Sequence, residues 1–83
     1  MDIYPFNALA LSKRAQLVWE TGSFVAICRK RVPCVQYFVI NGYFVELQFD
    51  QEQVKLLGLI AFDRGERYER MIEAIDLEAL LKS

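Results

Sequence analysis

Asn41-Gly42 stands between two apolar runs, Val35-Gln36-Tyr37-Phe38-Val39-Ile40 and Tyr43-Phe44-Val45-Glu46-Leu47-Gln48-Phe49. A type I′ turn needs positive φ at both central residues. Asn and Gly supply it at low cost, so this dipeptide between β-forming runs predicts a two-residue hairpin. Such a loop sets the register: Ile40 faces Tyr43, and Val39 with Phe44, Phe38 with Val45, Tyr37 with Glu46 and Gln36 with Leu47 follow. Side chains alternate across a strand, so the register also assigns every residue of the hairpin to one face of a sheet.

The flanking segments extend that sheet. Phe24-Val25-Ala26-Ile27-Cys28-Arg29 is rich in β-formers and follows Thr21-Gly22-Ser23, which reads as a first strand. Val54-Lys55-Leu56-Leu57-Gly58-Leu59-Ile60-Ala61-Phe62 is short enough to be strand or helix, and a four-residue connection after the hairpin favours a fourth strand. Residues 13 to 21 are expected to be helical, with Ser12 as cap, Leu11, Ala15, Val18 and Trp19 on the apolar side, and Gly22 at C′. Lys13, Arg14, Gln16 and Glu20 then take the wet side, and Trp19 reads as a core anchor. Upstream, Pro5 to Ala10 is open between a helical turn and an irregular arm. Tyr68, Met71, Ile72 and Ile75 recur at helical spacing after Asp63 and Glu66, which have capping-box spacing, and a break near Ile75-Asp76 is possible on this pattern. The expected fold is α+β in a single domain, residues 1–83: a four-stranded antiparallel β-meander with an N-terminal and a C-terminal helix packed on one face.

Carried through strand four, the register places Gln36, Phe38, Ile40, Tyr43, Val45, Leu47, Phe49, Val54, Leu56, Gly58, Ile60 and Phe62 on the helix-covered face. The other face holds Val35, Tyr37, Val39, Phe44, Glu46, Gln48, Lys55, Leu57, Leu59 and Ala61, of which only Glu46, Gln48 and Lys55 are polar. A two-layer domain would make that face polar. A bare apolar face marks an interface, and 54% hydrophobic residues are many for an 83-residue chain to hide in one core. The expectation is therefore a protein-interaction module, a homodimer assembled through Val35, Tyr37, Val39, Phe44, Leu57 and Leu59. A three-layer monomer, with the N-terminal arm or a helix folded over this side, is the alternative.

Little in the chain speaks for catalysis. It contains no His, which removes the commonest general base and the Ser-His and Cys-His nucleophile systems. The two cysteines, Cys28 and Cys34, lack zinc-ligand spacing and read as reduced, buried thiols, with a bridge across the turn they flank as the alternative. The four glycines are scattered and form no phosphate loop. Glu46 and Lys55 could pair diagonally across the second face, and Glu66, Glu69 and Glu73 alternate with Arg64, Arg67 and Arg70 in a pattern that intrahelical ion pairs explain. No catalytic residue, metal site or cofactor is expected. The net charge of −1 provides no field that would draw nucleic acid or anionic lipid. The one basic cluster, Arg29-Lys30-Arg31, reads first as protection of a strand edge. The alternative function is nucleic-acid or small-ligand binding by Tyr37 and Phe44 beside Arg29 and Arg31. The first residues show no basic segment followed by an apolar one, and no apolar run approaches the roughly 18 to 20 residues of a membrane span, so a cytoplasmic protein with no membrane partner is expected.

Phe6-Asn7-Ala8-Leu9, Arg14-Ala15, Val18-Trp19-Glu20-Thr21-Gly22-Ser23-Phe24, Tyr43-Phe44-Val45-Glu46-Leu47 and Ile75-Asp76-Leu77 together resemble a group of short uncharacterised bacterial proteins with an α-ββββ-α layout. Ser23 stands where that pattern has Thr, and Arg29 to Pro33 depart from its looser turn. The resemblance implies a compact stand-alone protein and carries no activity with it.

Overall fold

The structure, a computed structural model, describes residues 2–28, 34–50, 52 and 55–82. Among the described residues, three helices and four strands follow in the order α1 (Ile3–Ala8), α2 (Leu11–Thr21), β1 (Ser23–Cys28), β2 (Cys34–Ile40), β3 (Tyr43–Phe49), β4 (Leu56–Phe62) and α3 (Glu66–Lys82). The strands form one antiparallel sheet in sequence order. The fold is α+β, as the sequence leads one to expect.

The hairpin turns as its dipeptide requires, with φ at 50° for Asn41 and 83° for Gly42. The β2–β3 pairs are those predicted, from Ile40 with Tyr43 down to Gln36 with Leu47, and they continue to Cys34 with Phe49. Gly22 has a different use from the one expected. Its backbone is extended, at φ −82° and ψ 158°, and not left-handed. A Cβ there would lie 2.7 Å from the Val18 carbonyl oxygen, so the residue is small because α2 turns into β1 against its own last turn. Helix α2 begins one residue before Ser12, with Ala10 at the cap position, and α3 begins at Glu66 after Gly65, which leaves Asp63 outside its cap. No break occurs at Asp76.

The helices do not share a face. Phe6 of α1 and Val18 of α2, both fully buried, pack with Phe38, Ile40, Tyr43, Val45, Leu47, Phe49, Leu59 and Ala61 on the first face. Met71 and Ala74 of α3 pack on the second, against Ala26, Val35, Tyr37 and Phe62. The expectation of both helices on one side is thus corrected to three layers, because two apolar faces each need cover and burying a Val, Leu or Phe side chain gains about 1.5–3 kcal/mol.

Strand β4 explains why the faces of its residues were misassigned. Its connection from β3 spans residues 50 to 55, closed by Asp50 N–H to the Lys55 carbonyl at 3.0 Å and Lys55 N–H to Asp50 Oδ1 at 3.3 Å. Gln48 pairs with Gly58 and Phe49 with Leu56, which leaves Leu57 as an extra residue in a bulge. One extra residue flips all that follow. Leu56 keeps its predicted side, while Leu59 and Ala61 move to the first face and Gly58, Ile60 and Phe62 to the second. Val54 lies outside the described residues.

The outer edge of β4 is closed by side chains. Asn7 of α1 donates through Nδ2 to the Ala61 carbonyl at 3.1 Å and accepts from the Ala61 N–H through Oδ1 at 2.8 Å. Arg14 of α2, predicted to face water, is half-buried and donates to the Leu59 carbonyl.

Substituting Gly22→Ala is expected to cost about 1–3 kcal/mol of stability through overpacking against Val18. Gly42→Ala, with open space around it, is expected to cost about 1–2 kcal/mol through its positive φ alone. Urea titrations of the two variants check both values.

Candidate functional site

The second sheet face is where the sequence placed an interaction surface. Tyr37 and Glu46 face each other on β2 and β3, both on that side. Glu46 is 3% exposed. Its carboxylate accepts from Arg67 Nε at 2.8 Å and from the Tyr37 hydroxyl at 3.5 Å. Arg67 comes from the first turns of α3 and remains partly open to solvent. The pairing of Glu46 with Lys55 does not form, because Lys55 precedes β4 and is exposed. Arg67 has no carboxylate three or four residues away within α3, since Glu66 and Glu69 stand one and two residues from it, and its bond goes to the sheet instead. Among the described side chains of α3, Arg70 bonds along the helix, to Glu66.

Around this pair lies an aromatic group. Phe62 meets Tyr37 edge-on with ring centres 6.2 Å apart, and Phe44 lies 5.9 Å from Phe62 and 5.8 Å from Tyr68 of α3. A buried carboxylate ringed by tyrosine and arginine could serve proton transfer or hold a helix in place. Both of its partners belong to the α3–sheet contact, Tyr37 from the cluster beneath the helix and Arg67 from the helix itself. The arrangement fastens α3 to the sheet.

The residues read as an interface therefore separate. Val35 and Tyr37 are buried beneath α3, Val39 and Phe44 are half-buried, and Leu59 is buried on the opposite face under α1 and α2. Leu57 alone of the six is largely open, at 52% exposure, in the β4 bulge. The platform proposed for stacking bases is lost with Tyr37, which is 1% exposed. Arg29, Lys30 and Arg31 lie outside the described residues. Cys28 is half-buried on the second face, while the register turns Cys34 to the first, so the two thiols are badly placed for a bridge.

Open apolar surface occurs elsewhere. Trp19, expected in the core, is 58% exposed, and Phe24 at the start of β1 is 53% exposed. Both stand edge-on to Phe38, each with ring centres 5.6 Å from it, at interplanar angles of 88° and 83°. Phe38 itself is buried. The pairing of Phe24 with Phe38 across β1 and β2 brings the rings together, and Trp19 reaches them from the last turn of α2. The period of α2 places Trp19 on the side that meets Phe38, but more than half of its surface stays open.

An open groove of about 390 Å³ at the hairpin tip is bordered by Asp2, Tyr4, Asn41 and Asp63. Among the described residues, no three His, Cys, Asp or Glu side chains come together to hold a metal ion. No helix in the described residues is long and apolar enough to cross a membrane. Comparison with family models, with curated proteins and with solved structures finds no match. The α-β4-α layout of the resemblance is present in the structure, and its bacterial origin finds no support.

Replacing Arg67 by Met is expected to lower stability by about 1.5–3 kcal/mol, because it strands a buried carboxylate. In the Glu46→Gln background the same replacement should cost about 1 kcal/mol less, a coupling that chemical denaturation of the four-member cycle measures.

Proposed function

We propose that this protein works by non-covalent contact, as a small interaction module without catalytic activity, and that its contact surface is the Trp19–Phe38–Phe24 patch beside β1. The observation that carries this reading is the exposure of two large aromatic rings held in fixed geometry on a buried third. Rigid aromatics lose little entropy on binding and dominate contact energies, with Trp and Tyr foremost. Tyr4, Leu57, Tyr68 and Ile72 are exposed as well, but it is in this group that two open rings share one buried neighbour, and such a group marks a partner site. A second copy is the first partner to test, because a patch beside a twofold axis meets its own image.

The homodimer read from the sequence is retained in this proposal, and its location moves. The second sheet face is occupied by α3, whose backbone runs closest to β1. What stays open there is a strip with Phe44 and Ile60 half-buried and Tyr68 and Ile72 exposed. That strip presents less aromatic surface than the Trp19 patch.

Sedimentation at micromolar concentration is expected to show a dimer for the unaltered chain. Phe24→Lys and Trp19→Glu are expected to return the mass to that of a monomer with an unchanged circular dichroism spectrum. Ile72→Glu, on the strip beside α3, should leave the dimer intact. A monomeric unaltered chain sinks the self-association, and a dimer broken by Ile72→Glu but not by Phe24→Lys moves it to the second face.

A further inference from the structure

A sheet of four strands in sequence order has two edges, β1 and β4, and each presents main-chain groups to a newcomer. The β4 edge meets side chains of the two N-terminal helices. Antiparallel strands alternate residues whose N–H and C=O both point inward with residues whose groups both point outward. Ala61 is one of the outward residues of β4, because its N–H and its C=O are both taken by Asn7. Leu59, two residues earlier on the same side, gives its C=O to Arg14.

The Asn7 amide is a donor and an acceptor on one planar group, the same pair that a residue of a neighbouring antiparallel strand would offer. One side chain therefore stands where a fifth strand would pair. The six-residue α1 is too short to hold its own conformation. It is fixed by Phe6 in the core beneath it and by this amide at the sheet edge.

We infer that Asn7, assisted by Arg14, is an edge guard: it occupies the strand-pairing site of β4 and so prevents a second copy of this chain from adding its own β4 antiparallel to it. The occupant follows from the chemistry of the site. With the guard removed, β4 of one molecule offers at Ala61 an N–H and a C=O that β4 of another matches by twofold symmetry, and the Leu59 carbonyl lies two residues away on the same edge. The inference stands apart from the aromatic patch, which sits beside the other edge. If that patch pairs molecules at β1, an unguarded β4 would turn closed dimers into open chains, since each molecule would then carry two contacts.

Asn7→Leu keeps the side chain's size and removes both hydrogen bonds. The folded variant is expected to sediment, at concentrations of tens of micromolar, as species at least twice the mass of the unaltered protein, growing with concentration, and hydrogen exchange at the Ala61 amide is expected to quicken in its smallest species. Leu59→Met in the same background, which leaves the edge backbone as it is, should not change the outcome. An Asn7→Leu protein that is folded and unchanged in mass overturns the guard. Should that variant fail to fold, Asn7→Ala, which removes both hydrogen bonds and vacates the edge, takes its place under the same two readings. In the unaltered protein, an Ala61 amide that exchanges as fast as an open edge amide overturns the inference whatever the variants do.

Discussion

The antiparallel pairing of β2 with β3 decides what the rest of the molecule must provide. It sets Tyr37 against Glu46 on one face and Phe38 against Val45 on the other, and leaves neither face polar enough for water. Cover is then needed twice. The chain provides it from its two ends: α1 and α2 lie on the first face, and α3 returns to the second. A sheet with one polar face would have needed a single helical layer.

The price of the second cover is a buried carboxylate. Glu46 is the polar member of an otherwise apolar face, and a bare ionised group there would be several kcal/mol worse off than in water. Arg67 meets it from α3, with the Tyr37 hydroxyl on its other oxygen. The ion pair thus fixes how α3 sits along the sheet, while Met71 and Ala74 supply the apolar contact. At the opposite margin the same economy appears in a neutral form, where Asn7 and Arg14 satisfy the backbone of β4.

How much of this could be read from residues alone follows their range of action. The hairpin and its pairs depend on two adjacent residues with an unusual backbone requirement, and they emerge as predicted. The faces of β4 depend on the bulge at Leu57, which Gly58 beside it hints at, but a glycine in mid-strand does not say which residue is extra. The consequence was large for the candidate site, since Leu59 went from a supposed surface to the core beneath α1. Trp19 shows a subtler failure. Helical period assigns the side of α2 that carries it but says nothing of how much of the ring its neighbours cover. Arg67 has no carboxylate one turn away within α3, but a missing local partner does not name a distant one, and nothing in the chain pointed to Glu46, 21 residues away.

What the sequence by itself determined is the α+β class, the central hairpin and its register, and an apolar character on both sides of the sheet. These rest on dihedral preference and on the alternation of side chains, which act between neighbours in the chain. Only the tertiary structure decided that α3 would cover the second face, that Trp19 and Phe24 would stay in water, and that Asn7 would close the β4 edge. Those outcomes depend on which distant surfaces meet and how far each one reaches, a competition among long-range contacts that no window of the sequence contains.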